Sequence, residues 1–226
     1  MKTPVNKTNN KPKTLPKKGL HPAICNQLID LGTQPSRDYD PKRRIMIGFE
    51  ILDSELEMDN EDGTTRIQHH IRSIKKPFNL YGGQAWGKKG NETHLFSLFA
   101  EWFGEAPSEQ ECADLDYEGL IGKPAMLNLT AGEGKNGPYV SIGNVLNGDG
   151  VDVSGKLEDT LYFSLEDIIE GNTPEDALRL ADERLEDMAS WIADMIKESL
   201  EYVELVDAQG AGATDHPETP DEDLPF

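Results

Sequence analysis

The chain has 226 residues, 22 of them basic and 42 acidic, giving a formal charge of −20, and its hydrophobic share is 36%. That length suits one main domain with appendages, and the low apolar share leaves part of the chain outside any packed core. The two cysteines, Cys25 and Cys112, form no CxxC pair, and no apolar run reaches signal-peptide or membrane length, which excludes a disulfide scaffold and a helical membrane protein and predicts a cytoplasmic location.

The charge is segregated along the chain. Residues 1–150 hold 18 basic and 20 acidic side chains, whereas residues 151–226 hold 4 and 22; the first 50 residues alone hold 10 basic and 4 acidic. A uniformly acidic protein repels a polyanion. The near-neutral first two thirds do not.

Residues 1–18, with Lys2, Lys7, Lys11, Lys13, Lys17 and Lys18 among Pro, Thr and Asn, bury too little apolar area to offset ordering and are read as a flexible basic arm. Such an arm either contacts phosphates or only aids solubility. From Gly19 the pattern becomes extended. Leu20–Leu31 predicts a first strand, and Arg43–Leu52, with Ile45, Ile47, Phe49 and Ile51 on one face, a second. Between them, Thr33–Lys42 carries turn chemistry and one aromatic, Tyr39. Asp53–Thr65 is acidic and ends in the hairpin-like Glu61-Asp62-Gly63. A third strand is expected between Arg66 and Leu80, where Ile71 and Ile74 have opposite parity and cannot share the core face without a bulge.

Gly82–Asn91 is a Gly-rich loop holding Trp86, Lys88 and Lys89. Thr93–Phe103, with Leu95, Phe96, Leu98, Phe99 and Trp102 at helical spacings, predicts a helix. Two strands follow, Pro124–Ala131 and Tyr139–Leu146, joined through Lys135-Asn136-Gly137. Three strands, a helix and two strands is the element order of the OB-fold, a five-stranded Greek-key barrel that binds oligonucleotides. The expected fold is therefore mainly β: an OB-fold barrel over residues 19–150, an appended helical segment over 151–206 packing on the barrel, and a disordered acidic tail over 207–226.

Within the appended segment, Ser164–Glu170 predicts a short helix. Thr173-Pro174-Glu175-Asp176 opens a longer one with a cap, a proline at the first helical position and acids at the positive end of the dipole. Its apolar or small stripe runs through Leu178, Ala181, Leu185, Met188, Ile192, Met195, Ser199 and Tyr202, and needs a partner surface, either the barrel or a second copy.

The tip Asp221-Glu222-Asp223-Leu224-Pro225-Phe226 resembles the C-terminal tip of bacterial single-stranded DNA-binding proteins. A terminal carboxylate and the Phe226 ring suit an apolar pocket rimmed by Arg or Lys, with the three acids steering the encounter. An acidic solubility tail is the plain alternative. The chain from about residue 15 to 205 also resembles phage-encoded single-stranded DNA-binding proteins. That likeness is carried by Leu15-Pro16-Lys17-Lys18-Gly19, Ile29-Asp30-Leu31-Gly32-Thr33, Lys42 through Glu50, Gly122-Lys123-Pro124, and Trp191-Ile192 near Lys197-Glu198-Ser199. The resemblance implies an OB-fold, binding without strong sequence preference, a role in phage DNA replication, recombination or repair in the cytoplasm of a bacterial host, and recruitment of partner proteins by the tip. A long charged helix stands where bacterial relatives have a low-complexity linker, so their tetrameric assembly is not carried over.

Single-strand binding asks for cations against phosphates and aromatics under bases. The candidates are Lys17, Lys18, Arg37, Tyr39, Lys42, Arg43 and Arg44; Arg72, Lys75, Lys76, Tyr81, Trp86, Lys88 and Lys89; and Lys135 and Tyr139. Phe78 suits either the core or the surface. His69-His70 reads as a strand pair and not a metal site, and Glu55, Glu57, Asp59, Glu61 and Asp62 as a solvated run and not a two-metal nuclease. No nucleophile motif, P-loop or dinucleotide fingerprint occurs, so no catalytic residue, metal or cofactor is expected. The expected partners are single-stranded DNA, duplex DNA more weakly, and replication, recombination or repair proteins; no membrane is expected. The competing class is an acidic DNA mimic or inhibitor that acts through the C-terminal third.

Overall fold

The computed structural model describes residues 14–59, 63–74, 77–80, 94–108, 110–111, 115–135, 137–154 and 160–211. Its residues group into two compact units. One comprises the chain up to Asp30 with Lys42–Phe163, the other Leu31–Pro41 with the chain from Ser164 onward.

The first unit is mainly β. Its strands are β1 (Gly19–Gln34, the last four residues of which belong to the second unit), β2 (Lys42–Asp59), β3 (Thr65–Ser73), β4 (Phe78–Leu80), β5 (Pro124–Gly134), β6 (Gly137–Asn147) and β7 (Leu161–Phe163). They form one sheet in the order β3-β2-β1-β5-β6, with β4 added to β2 and β7 running parallel to β1. The β-branched and aromatic alternation of β2 puts Ile45, Ile47, Phe49 and Ile51 into the core, where Ala23, Cys25, Ala125, Leu127 and Leu129 meet them. Met46, Glu50 and Leu52 are buried as well, so β2 is covered on both faces.

Helix α1 (His94–Phe103) closes this core with Leu95, Phe96, Phe99 and Trp102. Phe49 and Trp102 meet edge-on at 5.1 Å. The Trp102 indole donates to the Pro124 carbonyl at 2.7 Å, which satisfies the polar end of a buried ring.

Three expectations change here. The single third strand is two: β3 and β4 both pair with β2, and the break between them contains Pro77, which has no N–H to give a ladder. The parity conflict is resolved there, because Ile71 stands opposite Glu50 while Ile74 packs against the core and donates its N–H to the Ile47 carbonyl. The acidic run is not all loop, since β2 continues to Asp59 beyond a register shift between Ile51 and Glu55. Finally, the sheet is not a closed barrel. Among the described residues no ladder joins β3 or β4 to β6, although Cα atoms of β3 and β6 come within 8 Å. Helix α1 packs against both β4 and β6.

The second unit is helical: α2 (Leu165–Ile169), α3 (Pro174–Leu185), α4 (Ser190–Lys197) and α5 (Leu200–Ala211). Ser164 caps α2 and Thr173 caps α3, each accepting from a backbone N–H three residues on. The expected long helix is thus three helices. Ala189 is extended at φ −60° and ψ 134°, which ends one run. Ser199 ends the next: its hydroxyl donates to the Ile196 carbonyl at 2.7 Å and accepts from Tyr202 N at 3.3 Å. These breaks let Leu178, Ala181, Leu185, Ile192, Ile196, Tyr202 and Leu205 all be buried. The end of β1 is clasped within this unit. Glu201 accepts from Thr33 N at 2.7 Å and from its hydroxyl at 2.5 Å, while Gln34 donates to the Leu31 and Met195 carbonyls. Gly32 (φ +70°) makes the clasp possible, because a Cβ there would lie 2.6 Å from that of Ser199.

Candidate nucleic-acid interface

The N-terminal strap, Thr14–Lys18, is anchored by two histidines that the sequence reading did not single out for this role. His70 Nε2 donates to the Thr14 carbonyl and His21 Nε2 to the Lys17 carbonyl, both at 2.9 Å, and Pro16 is buried between them. The second nitrogen of His21 lies 2.7 Å from Asp53 Oδ1, and that of His70 lies 3.1 Å from the Ser54 hydroxyl. Lys17 and Lys18 keep their side chains exposed on the strap. His69 faces the buried Glu50 at 2.5 Å, a cross-strand pair of the kind expected for a strand histidine.

At the start of β2, Lys42, Arg43 and Arg44 are half-buried. Arg43 grips Asp30 with its fork, at 2.5 and 3.3 Å, and that carboxylate is buried. Arg44 lies on β2 opposite Asn79 of β4, and its Nε donates to Asn79 Oδ1 at 3.1 Å. Arg72 stands opposite Phe49, donates to the Ile71 carbonyl, and has its pKa lowered by burial. Phe78 is a core residue.

Tyr139, 41% exposed, sits on the β5–β6 hairpin directly across from Gly132. A Cβ on Gly132 would lie 2.6 Å from the ring, so the tyrosine rests on the glycine. Lys135, exposed at the turn, shares this hairpin. A glycine facing an aromatic across a two-strand hairpin was visible in the sequence once the register was known.

Arg37 and Tyr39 are exposed, Tyr39 at 76%, and both belong to the second unit. Lys75, Lys76, Tyr81, Trp86, Lys88, Lys89 and the tip Asp221–Phe226 lie outside the described residues. The sheet therefore brings together Arg44 with Asn79, and Lys135 with Tyr139. It places β1 and β5 between those two groups.

A cleft of about 500 Å³ opens between α1, β4 and β6, with Phe78, Leu98 and Ile142 as its apolar lining. This volume lies in the range of small-ligand sites. The buried Cys25 thiol is pushed up to about 12 by desolvation, which leaves it un-ionised and unreactive near neutral pH. Among the described residues no helix is long and apolar enough to cross a membrane. Compared by sequence with known protein families and with curated proteins, the chain matches none of them.

Proposed function

We propose that this chain is a single-stranded DNA-binding protein of the phage type, with an OB-fold-derived sheet for the nucleic acid and an acidic C-terminal tip for partner proteins. The observation that carries the reading is the strand order. The first strand is central, the second and third lie on one side, the last hairpin on the other, and a helix enters between them, as in an OB-fold cut open along one seam. The cations and the seated aromatic on that same sheet support a nucleic-acid ligand. Arg43 is engaged by the buried Asp30 carboxylate, whereas Arg44 is held only through its Nε by the neutral Asn79 amide, and Arg44 is the residue of that triplet assigned to phosphates. Tyr139 is the stacking residue on the hairpin, and Tyr39 a further one in the second unit.

A mobility-shift assay with an oligo-dT strand tests this reading. Wild type should shift the strand, and the double substitution Arg44→Ala and Tyr139→Ala should weaken it by about tenfold or more, since one stacked base contributes about 1 to 3 kcal/mol. One observation favours the DNA-mimic alternative: residues 164–211 carry fourteen acidic and three basic side chains. A mimic would leave the strand unshifted, and that result would replace the present reading.

A further inference from the structure

We propose that the cleft between α1, β4 and β6 receives one base of the bound strand, and that it favours bases bearing an exocyclic amine. The inference rests on the single-strand reading above and names a subsite within it.

The cleft has the two features a base requires. Phe78, Leu98 and Ile142 offer apolar surface to the flat faces. The polar lining includes acceptor groups: the Glu101 carboxylate, which accepts from Asn144 Nδ2 at 3.2 Å, and Ser97 one helical turn before it. A carboxylate in such a slot accepts from the N4 amine of cytosine or the N6 amine of adenine, whereas thymine presents a carbonyl oxygen there and is disfavoured.

The cleft also has a place for the attached phosphate. Asn79, on its rim, accepts from Arg44 Nε. That bond orients the guanidinium while leaving its terminal nitrogens on the side away from Nε, the bidentate edge that a phosphate uses. Arg44 is thus tied to a residue of the cleft lining, while acceptors lie within the cleft itself.

The test compares 15-mers of dC and dT binding to the full chain by fluorescence anisotropy. Wild type should bind oligo-dC about fivefold more tightly than oligo-dT, a modest preference superimposed on general binding. Ser97→Trp, which fills the cleft from an exposed helix position, should remove that preference, and so should Glu101→Ala at a second exposed position. Arg44→Ala should weaken both strands together. Thermal melting of each variant confirms that it is folded, and the two independent positions keep the test decisive if one variant is not. Equal binding of dC and dT by wild type, or a preference that survives in folded Ser97→Trp or Glu101→Ala, overturns the cleft assignment while leaving the single-strand reading intact. Failure of wild type to bind either strand overturns both.

Discussion

The two units of this chain are held by different means. The β-rich unit is organised around a large apolar core in which the fully buried Trp102, Phe49, Phe99 and Leu127 interlock, and Lys17, Arg44 and Lys135 sit at its strap, a strand start and the hairpin tip. The helical unit buries Leu178, Ala181, Leu185, Ile192, Ile196 and Leu205 between short helices, and adds hydrogen bonds between elements: Glu201 to Thr33, Gln34 to Met195, and the Tyr202 hydroxyl to Asp182 at 2.7 Å. The difference matches their charge. A helical segment with fourteen acids keeps them on its outer faces, so apolar burial on the inner faces is supplemented by polar bonds that fix the turns between helices. Near-neutral charge with local cations leaves the β-rich unit free to meet a polyanion; dense acid on the other disfavours such a ligand and suits a competitor for it.

The comparison is broken most severely through the core of the β-rich unit. Trp102→Ala removes the ring that joins α1 to Phe49 and leaves the Pro124 carbonyl without its donor, so stability should fall by about 3 to 5 kcal/mol. Urea denaturation followed by near-ultraviolet circular dichroism measures this, and a loss under about 1 kcal/mol would mean that α1 is not part of the core.

A smaller effect is expected in the helical unit from Glu201→Ala, which deletes both bonds to Thr33. Charge-assisted bonds at a half-buried site contribute about 1.5 to 3 kcal/mol, so a loss of about 2 kcal/mol should appear, with faster amide exchange at Thr33. Unchanged exchange at Thr33 would show that the clasp does not hold the strand end. Together the two variants compare a single large core contact with a polar clasp that supplements burial.

Much of this was legible in the sequence. The alternation of Ile45, Ile47, Phe49 and Ile51, the helical spacing of Leu95, Phe96, Phe99 and Trp102, and the Gly137 turn each identify their element, because periodicity reports directly on which side chains face a core. The cap at Thr173 was equally plain, whereas Ser164, read as helical, proves to be the cap of α2. The extension of β2 was hidden by its charge: Glu55 and Glu57 read as a loop, although Leu56 between them is buried and the alternation continues. The break of the long helix was hidden because its apolar stripe holds its phase across Ala189 and Ser199, and only the geometry there shows that the chain turns. The site was less legible than the fold. Arg43 and Arg44 are adjacent and chemically alike, yet one faces a buried carboxylate and the other an amide on a cleft rim, a distinction that depends on strand pairing. The strap histidines act on backbone carbonyls, which leave no sequence signal.

We propose that the β-rich unit binds the strand, and that the acidic C-terminal part, besides serving partner proteins, competes with the strand. The most direct test measures oligo-dT affinity across a salt series for the full chain and for a chain lacking residues 212–226, which removes five acids and no base. Both forms should lose affinity linearly in log salt as counterions are released, and the shortened chain should bind several-fold more tightly at low salt, where a tethered acidic competitor is least screened, with the two curves converging as salt rises. Affinity independent of salt, or a shortened chain that binds no better than the full one at low salt, would contradict the account.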